Sequence, residues 1–232
     1  VQQVAGALQR DGLRPGQAIA ICAATSLAYV CTFLGAVQAG VTVAPLPPTA
    51  TPAQLQALSA NAGAVAVFVD ADTAANWADG PVRCWSLDEP AWTEWLQGAP
   101  LPSPVTRQPT EPFNIIYSSG TTGMPKGIVQ SCGMRWAQLQ RSPANGFGPD
   151  AVTLLAIPLY SNLTLTYLFG AMGQGGTVVL MDKFDAGRSF AASWTTRISN
   201  APICPCCAAA FRPVRPLWPN SRPRCCAAGR AS

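Results

Sequence analysis

Apolar residues Val1, Val4, Ala5 and Leu8 recur at the spacing of one helix face, and the run stops at Asp11-Gly12 and Arg14-Pro15-Gly16, a turn. Ala18 to Cys22 is a short unbroken apolar run bounded by that turn, which predicts a buried strand. Thr25 or Ser26 then offers an N-cap for a helix reaching Ala39, with Gly40 placed as its C-cap. Val41 to Ala44 returns to strand character before the break at Pro45-Leu46-Pro47-Pro48. Thr51-Pro52 starts another helix with a cap and a proline at its first position, and Val65 to Val69 is the next strand.

Strands alternating with helices of this length favour right-handed βαβ units, a parallel sheet and helices on its faces. The fold class is therefore α/β, a layered parallel-sheet domain. After Asp70 the regular pattern weakens, and Trp77, Trp85, Trp92 and Trp95 are spread through the segment that follows. They suit either a platform for a sugar or base or hydrophobic covers on a core edge, and the second reading is adopted. Gly98 to Pro112, rich in proline, reads as an extended connector. Phe113 to Ser118 has the β-branched and aromatic content of a strand, Lys126 to Gln130 that of another, and between them lies a loop of glycines and hydroxyl residues. Helices over Met134–Gln140 and Thr164–Met172 and strands over Ala151–Ile157 and Thr177–Met181 resume the alternation.

Composition changes this picture at one end only. The 232 residues are 49% hydrophobic, enough to bury a core, and no run approaches the roughly 18 apolar residues that cross a bilayer. A cytoplasmic protein without a membrane span is expected. Val1 already reads as mid-domain sequence, so a preceding segment is expected too. The net charge of +4 hides an asymmetry: all 11 acidic residues lie within residues 1–185, whereas every charge after that is arginine. Cys204, Cys206, Cys207, Cys225 and Cys226 crowd the same region, which is rich in proline and without apolar periodicity. Their C-x-C-C and C-C spacing is not the paired C-x-x-C of structural zinc, so no metal site is assigned. Residues 193–232 are expected to be an irregular tail, and their composition is that of GC-rich codons read out of frame from a point between Trp194 and Cys204.

The chemistry concentrates in Tyr117-Ser118-Ser119-Gly120-Thr121-Thr122-Gly123-Met124-Pro125-Lys126-Gly127. Glycines let successive backbone N–H groups turn toward one point, hydroxyls donate further hydrogen bonds, and Lys126 adds a compact positive charge, so the loop can hold a polyphosphate. The P-loop pattern fails, because Lys126 follows Pro125 and precedes Gly127, and G-x-G-x-x-G is absent. For Ser118, at the strand end, turn capping and phosphate contact stay open as alternatives.

Ser119 through Gly127 resembles the signature of the adenylate-forming superfamily, which includes acyl-CoA synthetases, luciferases and the adenylation domains of peptide synthetases. Leu34-Gly35-Ala36-Val37-Gln38-Ala39-Gly40 with the following proline loop, Ile157-Pro158-Leu159-Tyr160-Ser161-Asn162, and Gly175-Gly176-Thr177-Val178-Val179-Leu180 are similar to further stretches of that family. The resemblance covers roughly residues 1–190. It implies a partial AMP-binding N-terminal domain over residues 1–192, incomplete relative to the family. It also implies ATP-dependent activation of a carboxylic acid to an acyl-adenylate, with Mg2+ accompanying ATP, followed by thioester formation with coenzyme A. By resemblance, Ser118, Ser119, Gly120, Thr121, Thr122, Gly123 and Lys126 hold the triphosphate. Tyr160, Ser161 and Asn162 either line the acyl pocket or cap the helix expected from Thr164. The expected partners are therefore a small carboxylic acid, ATP and coenzyme A, without nucleic acid.

Several family positions differ. Many acyl-CoA synthetases carry histidine near Tyr160 or Ser161 and at the position of Cys132, whereas this chain has none. A carboxylate is already ionised at neutral pH, with a pKa of about 4, so adenylation requires no general base. Cys132 is read as structural. The alternative to an active ligase is a catalytically inactive fragment that at most binds nucleotide.

Overall fold

The computed structural model describes residues 1–77, 82–118 and 125–182. The expected tail, its cysteines and most of the glycine- and hydroxyl-rich loop lie outside these residues. The first half is a regular alternation of α1 (Gln2–Arg10), β1 (Ala18–Cys22), α2 (Leu27–Gln38), β2 (Thr42–Pro45), α3 (Pro52–Asn61) and β3 (Ala64–Val69). Each start has a local cause. The Ser26 hydroxyl accepts the Tyr29 N–H to cap α2, and Thr51 and Gln54 form a reciprocal capping box ahead of Pro52. Ala39, not Gly40, is the C-cap of α2; Gly40 follows it at φ +80°. A Cβ at Gly40 would lie 2.8 Å from Val105 Cγ1 and 2.9 Å from Pro15 Cβ, so backbone and packing both require glycine there.

The segment after Asp70 is more regular than its sequence suggests. It holds a short helix α4 (Ala71–Ala74) with a 3-10 turn over Ala75–Trp77, strand β4 (Arg83–Ser86) and helix α5 (Ala91–Leu96). The chain continues as β5 (Pro112–Ser118), β6 (Lys126–Ser131), α6 (Cys132–Arg141), β7 (Val152–Leu155), α7 (Asn162–Gly173) and β8 (Thr177–Leu180). One six-stranded sheet has the order β4-β3-β1-β2-β5-β6, parallel except where β6 runs antiparallel to β5. Strands β7 and β8 pair in parallel as a separate two-stranded sheet among the described residues.

Both faces of the central strands are covered, which explains their unbroken apolar runs. Ile19 and Ile21 of β1, Val43 of β2 and Phe68 of β3 face the larger core with α1 and α2. Ala20 and Cys22, Ala44, and Val67 and Val69 face a smaller core with Leu55 and Leu58 of α3. Helix α1 lies against α2 closely enough that a Cβ on Gly35 would meet Val4 Cβ at 2.5 Å. The tryptophans cover core edges: Trp85 stacks on Phe68 at 5.1 Å between centroids, Trp95 meets Phe68 edge-on at 5.3 Å, and Trp77 is buried in the smaller core. The connector ahead of β5 runs over α1, where Gln9 and Ser103 exchange two hydrogen bonds.

The second half docks onto the first through rings. Phe33 of α2, Phe113 of β5 and Phe169 of α7 form a triangle with centroid separations of 6.3, 5.5 and 5.3 Å. This contact fixes α7, and with it the chain entering α7 from Leu159 to Ser161, beside the strand that feeds the loop.

Candidate active site

Strand β5 lies parallel to β2, so its C-terminal residue Ser118 emerges at the edge of the sheet where the parallel strands end. Ligands of open α/β sheets bind at that edge. The chain then returns antiparallel, and Ser118 stands directly opposite Lys126 as the last pair of the β5–β6 ladder. Both side chains are exposed. The residues between them that the sequence assigns to phosphate, Ser119, Gly120, Thr121, Thr122 and Gly123, lie outside the described residues. The ladder thus brings together a hydroxyl and an ammonium group at the two feet of one loop. Lys126 has no ion-pair partner among the described residues.

The base of this hairpin is anchored from below. The Tyr117 hydroxyl lies 2.9 Å from the Leu58 carbonyl and 2.9 Å from Asn61 Oδ1, both near the end of α3. Opposite Tyr117, Gly127 leaves the ring room, since a Cβ there would sit 3.1 Å from Tyr117 Cε1.

On the far side of β5 lies a polar cluster that the sequence reading missed. Arg135 of α6 is 5% exposed, and its Nε donates to Asn114 Oδ1 on β5 at 2.9 Å. Its Nη1 donates to Gln138 Oε1 at 2.8 Å and its Nη2 to Asn162 Oδ1 at 2.9 Å. The guanidinium carbon lies 5.3 Å from the centre of the Phe169 ring. No carboxylate pairs with it among the described residues. Desolvation lowers its pKa to about 10. Two signals in the sequence point to this cluster: Asn114 interrupts an apolar strand, and Arg135 stands three residues after buried Cys132, on the inward face of α6.

The remaining sequence candidates separate. Helix α7 begins at Asn162, earlier than Thr164, and Ser161 occupies the cap position without a side-chain capping bond. Asn162 turns to Arg135. Tyr160 and Ser161 are partly exposed just ahead of the helix. Cys132 is 4% exposed, its backbone N–H donates to the Glu111 carbonyl, and burial holds its thiol above the usual range, which suits packing and not nucleophilic attack.

The sequence model of the AMP-binding enzyme family matches residues 1–209. The chain belongs to that family. A 4-coumarate-CoA ligase 1 from Narcissus pseudonarcissus is 27% identical to this chain over 222 residues, covering 88% of it and 40% of the ligase. An L-proline–[L-prolyl-carrier protein] ligase from Pseudomonas fluorescens is 29% identical, covering 73% of this chain and 36% of that protein. The o-succinylbenzoate CoA synthetase of Bacillus subtilis, solved with an acyl-adenylate intermediate, superposes with a TM-score of 0.75 at 21% identity, over 85% of this chain and 51% of the synthetase. That enzyme has also been solved with ATP and a magnesium ion. The fold is therefore the α/β fold of adenylate-forming synthetases, and the chain spans about half of that structure's length or less of the relatives it matches. No helix among the described residues is long and apolar enough to cross a membrane.

Proposed function

We propose that this AMP-binding chain contributes the nucleotide-handling face of a ligase that activates a carboxylic acid with MgATP and passes the acyl group to coenzyme A. The observation that carries this reading is the pairing of Ser118 with Lys126 at the feet of a glycine- and hydroxyl-rich loop on the C-terminal edge of a parallel sheet. Family membership and its ligase relatives support it. The donors fit the group: hydroxyls, a lysine and glycine N–H groups match phosphate oxygens, and magnesium enters with those oxygens as part of the substrate.

The chemistry follows from charge. The carboxylate oxygen of the acid attacks the α-phosphorus; the new C(O)O–P bond forms as the bond to the bridging oxygen of the β-phosphate breaks, and pyrophosphate leaves with the electron pair. The attacking group is already anionic, so the protein's task is to align it and to neutralise phosphates that repel it. In this reading Lys126, Ser118, Ser119, Thr121 and Thr122 donate to the phosphate oxygens, Gly120 and Gly123 let the backbone close around them, and Tyr160 and Ser161 flank the acyl side. The coenzyme A thiol then attacks the acyl carbon and AMP leaves.

The test is MgATP binding by calorimetry together with carboxylate-dependent exchange of pyrophosphate into ATP. A charge-assisted hydrogen bond contributes about 1.5–3 kcal/mol, so Lys126→Ala is expected to weaken MgATP binding roughly 10- to 100-fold with the melting temperature unchanged. Unaltered affinity in that variant removes the loop from the site. A second reading is nucleotide binding without adenylation. Bound MgATP with no exchange for any acid selects it.

A further inference from the structure

The Arg135 cluster is not used by the nucleotide reading, and its composition is unusual for a purely structural tie. A guanidinium that is 5% exposed meets three amide oxygens, those of Asn114, Gln138 and Asn162, and no carboxylate among the described residues. Amide oxygens are dipoles. They satisfy N–H groups, yet they leave a full positive charge uncompensated where desolvation costs several kcal/mol. Each of Nη1 and Nη2 spends one of its two N–H groups on an amide, so each retains another. Beside the Nε contact, Asn114 Nδ2 is itself buried and without a hydrogen-bond partner. Donors therefore outnumber acceptors at this point of the fold.

The orientation of the group matters as much as the count. Its Nε end is held at fully buried Asn114, whereas the two Nη atoms bond to partly exposed Gln138 and Asn162, between α6 and the start of α7. That edge carries Asn162, directly after Tyr160 and Ser161, on the side assigned to the acid. Asn114 lies four residues before Ser118 on β5, about 13 Å away at the rise of a strand. A planar fork with two free N–H groups is the geometry that takes a carboxylate in a bidentate manner.

We infer that Arg135, with Asn162 and Gln138 at its mouth and Asn114 beneath it, binds the second, non-reacting carboxylate of an α,ω-dicarboxylic acid. The acid's other end would be adenylated near the loop. This rests on the proposed carboxylate-activating function. The separation between Asn114 and Ser118 calls for an acid with a chain of several methylenes between its carboxylates, and an uncharged tail at the same position would leave the guanidinium unpaired.

The test uses the full chain and matched pairs of acids, adipate against hexanoate and suberate against octanoate, titrated calorimetrically in the presence of MgATP. The dicarboxylate of at least one pair is expected to bind ten-fold or more tightly than its partner, and Arg135→Met is expected to erase that preference. If the Met variant is not recovered folded, Arg135→Lys decides, because it keeps the charge and loses the fork; its preference is expected to fall at least three-fold. Equal binding of mono- and dicarboxylates by the wild type, or a preference that survives in the variants, overturns the inference. MgATP titrated alone separates the two levels: ATP binding without a dicarboxylate preference sinks this inference only, whereas the absence of ATP binding sinks the function on which it rests.

Discussion

Tyr117 is one of the side chains through which the loop-bearing hairpin is held to the first half of the domain, and replacing it resolves hydroxyl from ring. In Tyr117→Phe the lost partner is the Leu58 carbonyl at 2.9 Å, which still accepts the Ala62 N–H at 2.9 Å, while Asn61 Oδ1 belongs to an exposed residue. No buried acceptor is stranded, so the cost is that of one ordinary hydrogen bond, about 1 kcal/mol. For a domain of this size that is a fall in melting temperature of roughly 2–4 °C. Tyr117→Ala also removes the ring that packs over Gly127 and against the smaller core, and should cost about 2–4 kcal/mol in total, because the ring is only partly buried. Urea denaturation followed by far-UV circular dichroism measures both. MgATP affinity, read in parallel, should stay within about two-fold for Phe and fall for Ala, since Tyr117 is the residue before Ser118. A Phe variant that unfolds with the wild type, or one that loses as much as the Ala variant, refutes this account of the anchor.

Other consequences are open to measurement. Burial pushes the Cys22 thiol up from 9.0 to about 12, so its contribution is fully present below pH 9 and is lost as pH rises from 9 toward 12. Linkage gives a loss of about 1 kcal/mol by pH 10 from this group, and Cys22→Ala should flatten that part of the stability profile in urea melts between pH 8 and 10.5. At Gly35 an alanine gains up to about 1 kcal/mol of helix propensity but places its Cβ 2.5 Å from Val4, so Gly35→Ala should lose roughly 1–3 kcal/mol net in the same assay; a stabilised variant would refute the close approach of α1 and α2.

What the chain reveals before its structure follows from which signals are local. The caps at Ser26 and Thr51 and the apolar run at Ala18–Cys22 are decided by neighbours in sequence, and these elements were legible. Strand β4, Arg83–Ser86, was not, because its four residues owe their conformation to pairing with Ala66–Val69 of β3. Strand direction is equally non-local: the period of side chains is the same either way, so the antiparallel return of β6 was legible only as a short loop, and the separation of β7 and β8 from the main sheet not at all. At the candidate site, Lys126 and Ser118 could be named from the motif. The cluster around Arg135 joins it to residues 21 and 27 positions away in sequence, on opposite sides, and an arginine in a helix reads as solvent-facing until its partners are known.

The order β4-β3-β1-β2-β5-β6 also has an optical consequence. Trp85 and Trp95 sit around Phe68 at one end of the sheet, with Trp77 and Trp92 packed on the cores nearby, whereas the Ser118–Lys126 pair is at the other end. Among the described residues only Trp136, on α6 one residue from Arg135, follows the β5–β6 hairpin in the chain. Indole emission from these residues should therefore report mainly on the integrity of the β3–β4 end. A Trp136→Phe difference spectrum would isolate the optical signal of the end where the acid and the nucleotide are expected to meet.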